Sequence, residues 1–80
     1  MIEVELRLYA NLRRHRPDAP LEGGEKLLLP AGSTLLDLVA GLGIPTYEVQ
    51  TAFVNRKVRA MEQKLAAGDR VDLFPAIAGG

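Results

Sequence analysis

The sequence predicts an α+β domain, a mixed sheet crossed on one face by a single main helix, and three observations carry that prediction. Ile2, Val4, Leu6 and Leu8 alternate with Glu3, Glu5, Arg7 and Tyr9 for four periods, the pattern of a half-buried strand. Leu35, Leu38, Val39 and Leu42 recur at i, i+3, i+4 and i+7, which puts them on one face of a helix. Near residue 70 the period returns to two, with Val71 and Leu73 on one side and Asp72 and Phe74 on the other.

The remaining elements follow in order. Residues 10–16 form a helical turn packed through Leu12, and Pro17 and Pro20 end it in a loop that runs to Gly24. In the strand EKLLLP, either Leu27 and Leu29 or Leu28 faces inward, depending on register, and Pro30 stops pairing in the manner of an edge strand. It forms a hairpin with the first strand across a long connection. Ser33 or Thr34 caps the helix, and Asp37, three residues past Thr34, completes a capping box. Gly43 is placed for the left-handed C-terminal cap, and Pro45 forbids continuation. Residues 48–55 return to strand composition, a turn at Asn55-Arg56-Lys57 leads to a short strand near Val58, and Leu65 anchors the loop that turns at Gly68-Asp69. Buried positions are expected at Ile2, Val4, Leu6, Leu8, Leu35, Leu38, Val39, Val54, Val71 and Leu73.

Eighty residues with 48% apolar content make one small domain that must stand on its hydrophobic core. The sequence has no cysteine, which excludes disulfides, thiolate metal sites and cysteine nucleophiles. Ten basic side chains balance ten acidic ones, unlike a nucleic-acid binder, which carries an excess of Lys and Arg. No apolar run reaches the ~20 residues of a membrane span, so a soluble cytoplasmic protein with no nucleic-acid or membrane partner is expected. Arg13-Arg14-His15-Arg16 reads as a solvated loop able to steer an acidic partner, and one histidine among three arginines is no metal site. Glu3 with Glu5, and Asp69 with Asp72, read as surface carboxylates. Gly23-Gly24 and Gly41-x-Gly43 lack the lysine and spacing of a phosphate loop, so the chain itself should hold no nucleotide or other cofactor.

A helix between the second and third strands, with a last strand placed inside the sheet, corresponds to the β-grasp arrangement of ubiquitin. The domain occupies residues 1–75 and leaves 76–80 as an extended C-terminal tail. Glycine occupies 8 of the 80 positions, so a Gly-Gly pair at 79–80 has a chance probability of about 1%. Fully extended, the five tail residues reach about 17 Å, enough to enter a cleft on another protein. A terminal carboxylate is ionised at neutral pH and a poor electrophile, so chemistry at Gly80 requires activation, for example as an acyl-adenylate. Glycine at 79 and 80 removes the Cβ atoms that would crowd the attacked carbonyl.

The run GDRVDLFPAIAGG at 68–80, with VNRKV at 54–58 and LYANLRR at 8–14, resembles the ubiquitin-like sulfur carriers of the MoaD/ThiS group over essentially the whole chain. That resemblance implies adenylation of Gly80 by an E1-like adenylyltransferase using ATP and Mg, then conversion to a thiocarboxylate, with Ile77, Ala78 and Gly79 threading the partner's channel. The chain would be a sulfur-donating cosubstrate and not itself an enzyme. Its length, LYANLRR and Phe74-Pro75 are most similar to the small subunit of molybdopterin synthase, whose large subunit would then be the sulfur acceptor. The AIAGG tail is closer to the thiamine type, and the Arg56-Lys57 turn lacks the glycine frequent in the group. Thiamine or tRNA thiolation, isopeptide attachment of Gly80 to lysines as a ubiquitin-like modifier, and a plain interaction domain stand as alternatives. Tyr9, Phe53 and Phe74 fall on the outer face by alternation, and the resemblance places Tyr9, Phe74 and Val58, beside Pro75, at a partner interface.

Overall fold

The computed structural model describes residues 1–20 and 23–76. Strand β1 (Ile2–Leu8) is followed by a 3-10 helix (Ala10–His15), β2 (Glu25–Leu29), helix α1 (Leu35–Gly41), a second 3-10 turn (Thr46–Glu48), β3 (Val49–Val54), β4 (Lys57–Val58) and β5 (Arg70–Pro75). The strands form one five-stranded sheet in the order β2-β1-β5-β3-β4. β1 and β5 run parallel at its centre, and the other pairs are antiparallel. This is the β-grasp topology expected from the order of elements.

Register decides which side chains meet. Val4 lies opposite Leu27, Leu6 opposite Val71, Leu8 and Ala52 opposite Leu73, and Val54 opposite Val71. These residues share the inner face with Leu35, Leu38 and Val39 of α1 in one core. Leu27 and Leu29 therefore point inward and Leu28 outward, 64% exposed, which settles the register of β2. Leu12 and Leu65 close the core from the two loops. Ile2 and Leu8, expected to be buried, are only half-buried against the core. Seven helical residues span about 10 Å, whereas seven strand residues span about 23 Å, so α1 cannot cover both ends of β1.

The helix is defined by its ends. Thr34 Oγ1 accepts from the Asp37 amide at 3.1 Å, and Asp37 Oδ2 accepts from the Thr34 amide at 2.9 Å, a complete capping box. At the other end Gly43 adopts φ +75°, its amide donating to Ala40 and the Ile44 amide to Val39. This is a Schellman motif, and it turns Ile44 into the core beside Val39. No helix among the described residues is long and apolar enough to cross a membrane.

Candidate functional site

The face of the sheet away from α1 carries three of the four aromatic residues. Phe53 lies opposite Asp72 on one side and Val58 on the other, and Thr51 lies opposite Phe74. Tyr9 follows directly on β1, and φ +52° at Ala10 then turns the chain into the 3-10 helix that seats Leu12. The result is a strip running Tyr9, Phe74, Phe53, Val58 across β1, β5, β3 and β4. The Tyr9 and Phe74 rings stack with centroids 4.2 Å apart and planes 10° from parallel. Phe53 meets Phe74 edge-on at 5.4 Å and 72°. Such pairs contribute about 0.5–1.5 kcal/mol each beyond their burial and hold the rings in fixed places. Val58 is 64% exposed at the end of the strip.

Beneath the strip the structure corrects one expectation. Asp72 reads as a surface carboxylate from its place on the outward side of β5, yet it is only 4% exposed. A buried carboxylate is tolerated only with partners, and it has two. The Tyr9 phenol donates to Asp72 Oδ1 at 3.1 Å, and Arg70 Nε donates to Oδ2 at 3.0 Å and Oδ1 at 3.3 Å. The hydrogen bond to Asp72 raises the pKa of the Arg70 guanidinium further, keeping it charged. Tyr9 is thus fixed at its tip by Asp72 and across its ring by Phe74. The signal in the sequence was slight: an aspartate two residues before Phe74, with a tyrosine whose strand becomes its neighbour only through the parallel pairing.

The basic stretch also differs from its reading as a solvated loop. Arg14 and His15 both contact Glu48, and Arg16 holds Glu25 through Nε at 3.0 Å and through Nη2. Three of its four side chains are thus engaged by carboxylates of the same chain. Glu5, likewise, is half-buried and bonded to Arg7 at 2.9 Å. Among the described residues no group of three or more His, Asp or Glu side chains could hold a metal ion.

Pro75 closes β5 opposite Val49, and exposed Ala76 follows it. The depression beside this exit is lined by Asn11, Arg14, Tyr47 and Glu48, with Tyr47 82% exposed. Ile77, Ala78, Gly79 and Gly80, the residues expected to carry the chemistry, lie outside the described residues. The structure brings Tyr9, Phe53, Phe74 and Val58 onto one face and leads that face along β5 to Pro75.

A family model described as Mut7-C ubiquitin matches residues 1–79. The chain belongs to the Mut7-C ubiquitin family. A search of curated proteins gave no match. Among solved structures, this Mut7-C ubiquitin chain is similar to a Pyrococcus furiosus protein assigned as molybdopterin converting factor, subunit 1, with a TM-score of 0.73 at 20% identity, covering 96% of this chain and 100% of that one. The small archaeal modifier protein 1 of Haloferax volcanii gives the same TM-score of 0.73 at 20% identity, again over 96% and 100%. The Haloferax volcanii HVO 2177 protein gives a TM-score of 0.77 at 22% identity over 99% and 87%. At such identities the likeness is one of fold, and the fold is ubiquitin-like.

Proposed function

We propose that this Mut7-C ubiquitin chain is a sulfur carrier, a protein cosubstrate that acts through Gly80. The observation that carries the reading is the continuity of β5. Phe74, at the centre of the aromatic strip, is followed at once by Pro75 and the tail, so a partner gripping the strip holds the tail root in one place. The Gly80 carboxylate attacks the α-phosphate of ATP on an E1-like enzyme, giving the acyl-adenylate and pyrophosphate. Hydrosulfide then attacks the acyl carbon, the acyl–phosphate bond breaks, AMP leaves, and the thiocarboxylate forms with no change of oxidation state. With a persulfide donor, the acyl disulfide first formed is opened by a thiol, which ends in a disulfide with the donor. The nucleotide and its Mg belong to the partner. Sulfur delivery to a molybdopterin synthase large subunit is the preferred pathway, since a molybdopterin converting factor subunit shares the fold. Thiamine and tRNA thiolation use the same chemistry.

A second reading has its own support, because small archaeal modifier protein 1 shares the fold equally well. There, a lysine amine displaces AMP and Gly80 ends in an isopeptide bond. Intact mass spectrometry after incubation with ATP, an E1-like adenylating enzyme and a sulfur donor separates the two. The carrier gains the mass of one oxygen-to-sulfur replacement at its terminus. Conjugates on lysines without that gain select the modifier, and neither product overturns both.

A further inference from the structure

The aromatic strip has a charged rim. A shallow hollow beside it is lined by Tyr9, Phe53, Phe74, Asp72 and two arginines, Arg56 and Arg70. Arg70 engages Asp72 through Nε alone, leaving both of its Nη groups without a hydrogen bond among the described residues. Arg56 forms no ion pair among the described residues.

The two arginines are held as neighbours by the backbone. Asn55 donates its amide to the Arg70 carbonyl at 2.8 Å and accepts the Arg70 amide on Oδ1 at 2.9 Å, while its Nδ2 donates to Asp69 at 2.9 Å. This clamp fixes the two-residue turn of the β3–β4 hairpin to the start of β5. Within that turn Asn55 and Arg56 have φ of +53° and +70°. Asparagine tolerates this region, but arginine does not favour it, and glycine would adopt it freely. A strained arginine where a glycine would fit more easily points to a use for its side chain.

We propose that Arg56 and Arg70 form a seat for one carboxylate, an aspartate or glutamate side chain of the protein that docks on the aromatic strip. The inference rests on reading that strip as a docking face. Charge decides the class of ligand: two guanidinium groups and the Asp72 carboxylate leave a net charge of one positive unit, which complements a monoanion better than a phosphate dianion. The rings beside the seat would cover the aliphatic stem of the bound residue. Placed at a rim, such a contact governs encounter rate and partner choice.

The test uses R56G, which suits the turn, with R70Q as the second variant. Binding to the adenylating enzyme of the mass assay is measured at low and physiological salt. Each variant is expected to bind about tenfold more weakly at low salt, about 1.4 kcal/mol, with a smaller salt dependence than the wild type. Unchanged affinity in R56G overturns the seat while leaving the carrier reading intact. If no such enzyme loads the chain, the carrier reading fails, and the seat is still read directly by NMR. The Nε–Hε signals of Arg56 and Arg70 should shift saturably with sodium acetate in the wild type and lose saturation in R56G. A stronger response to inorganic phosphate, or straight-line shifts with both anions, overturns it.

Discussion

The phenol of Tyr9 donates a 3.1 Å hydrogen bond to the carboxylate of Asp72, on the neighbouring parallel strand and beneath the aromatic face. Asp72 is held in turn by Arg70, so one buried charge orders both a ring and a cation on the outer surface. Y9F keeps the stack on Phe74 and removes only this bond. A hydrogen bond to a buried charged group is worth about 1.5–3 kcal/mol, and each ~1 kcal/mol corresponds to roughly 4–8 °C in Tm for a domain of this size. D72A removes both bonds and leaves two donors without their acceptor, so its loss should be about twice as large. Thermal unfolding followed by circular dichroism checks the order, and a D72A protein as stable as the wild type would refute the structural role given to that carboxylate.

Glu25 gives the stability a dependence on acid. The hydrogen bond from Arg16 is the main cause holding its carboxyl below the ordinary value of 4.5, with coulombic attraction to Arg16 adding to it and partial burial opposing both. Because the folded-state pKa is the lower one, this contribution is full above about pH 4.5 and is lost as pH falls through the depressed folded value. Both side chains are partly exposed, so about 0.2–1 kcal/mol is at stake. Urea midpoints at pH 7 and pH 3 should differ less in E25Q than in the wild type. Glu48, lowered first by its hydrogen bond from His15, acts in the same direction.

Leu12 is fully buried although its 3-10 helix lies outside the regular sheet and helix. Deleting its side chain leaves a cavity that costs about 2.7–5 kcal/mol, against a total stability of roughly 4–12 kcal/mol for eighty residues. L12A should therefore lose about a fifth or more of its denaturant stability. L28A, at an exposed position of β2, should shift the urea midpoint hardly at all.

The capping box makes Thr34 more valuable than its exposure implies. T34A should lower stability by about 1 kcal/mol, and T34S should restore most of it by keeping the oxygen that accepts from Asp37.

Much of this architecture was legible because it is local. The alternation of β1 continues through Tyr9, the Thr34–Asp37 pair marks the start of α1, and Gly43 marks its end, each within a few residues of sequence. Ile44 could have been assigned to the core by the same reasoning, as the residue after a left-handed cap glycine. The burial of Asp72 could not, because it depends on a tyrosine brought alongside by the parallel pairing. Leu27, Leu28 and Leu29 are alike in composition, and only pairing with β1 chooses among them. The Asn55 clamp was hidden for the same reason: its partners are Arg70, which opens the next strand but one, and Asp69 just before it.

The parallel pairing of β1 with β5 imposes an order on the life of the chain. At a synthesis rate of about 5–20 residues per second, β1 waits for several seconds before the neighbour that completes its inner side has been made. Such non-local pairing delays closure of the core until nearly all of the domain has left the ribosome. Phe74, the hub of the aromatic strip, arrives with that last strand. A surface built around it exists only on chains in which that last strand has been made and paired, so an enzyme that must grip it before acting on the residues behind Pro75 would discriminate against incompletely folded chains without a separate proofreading step.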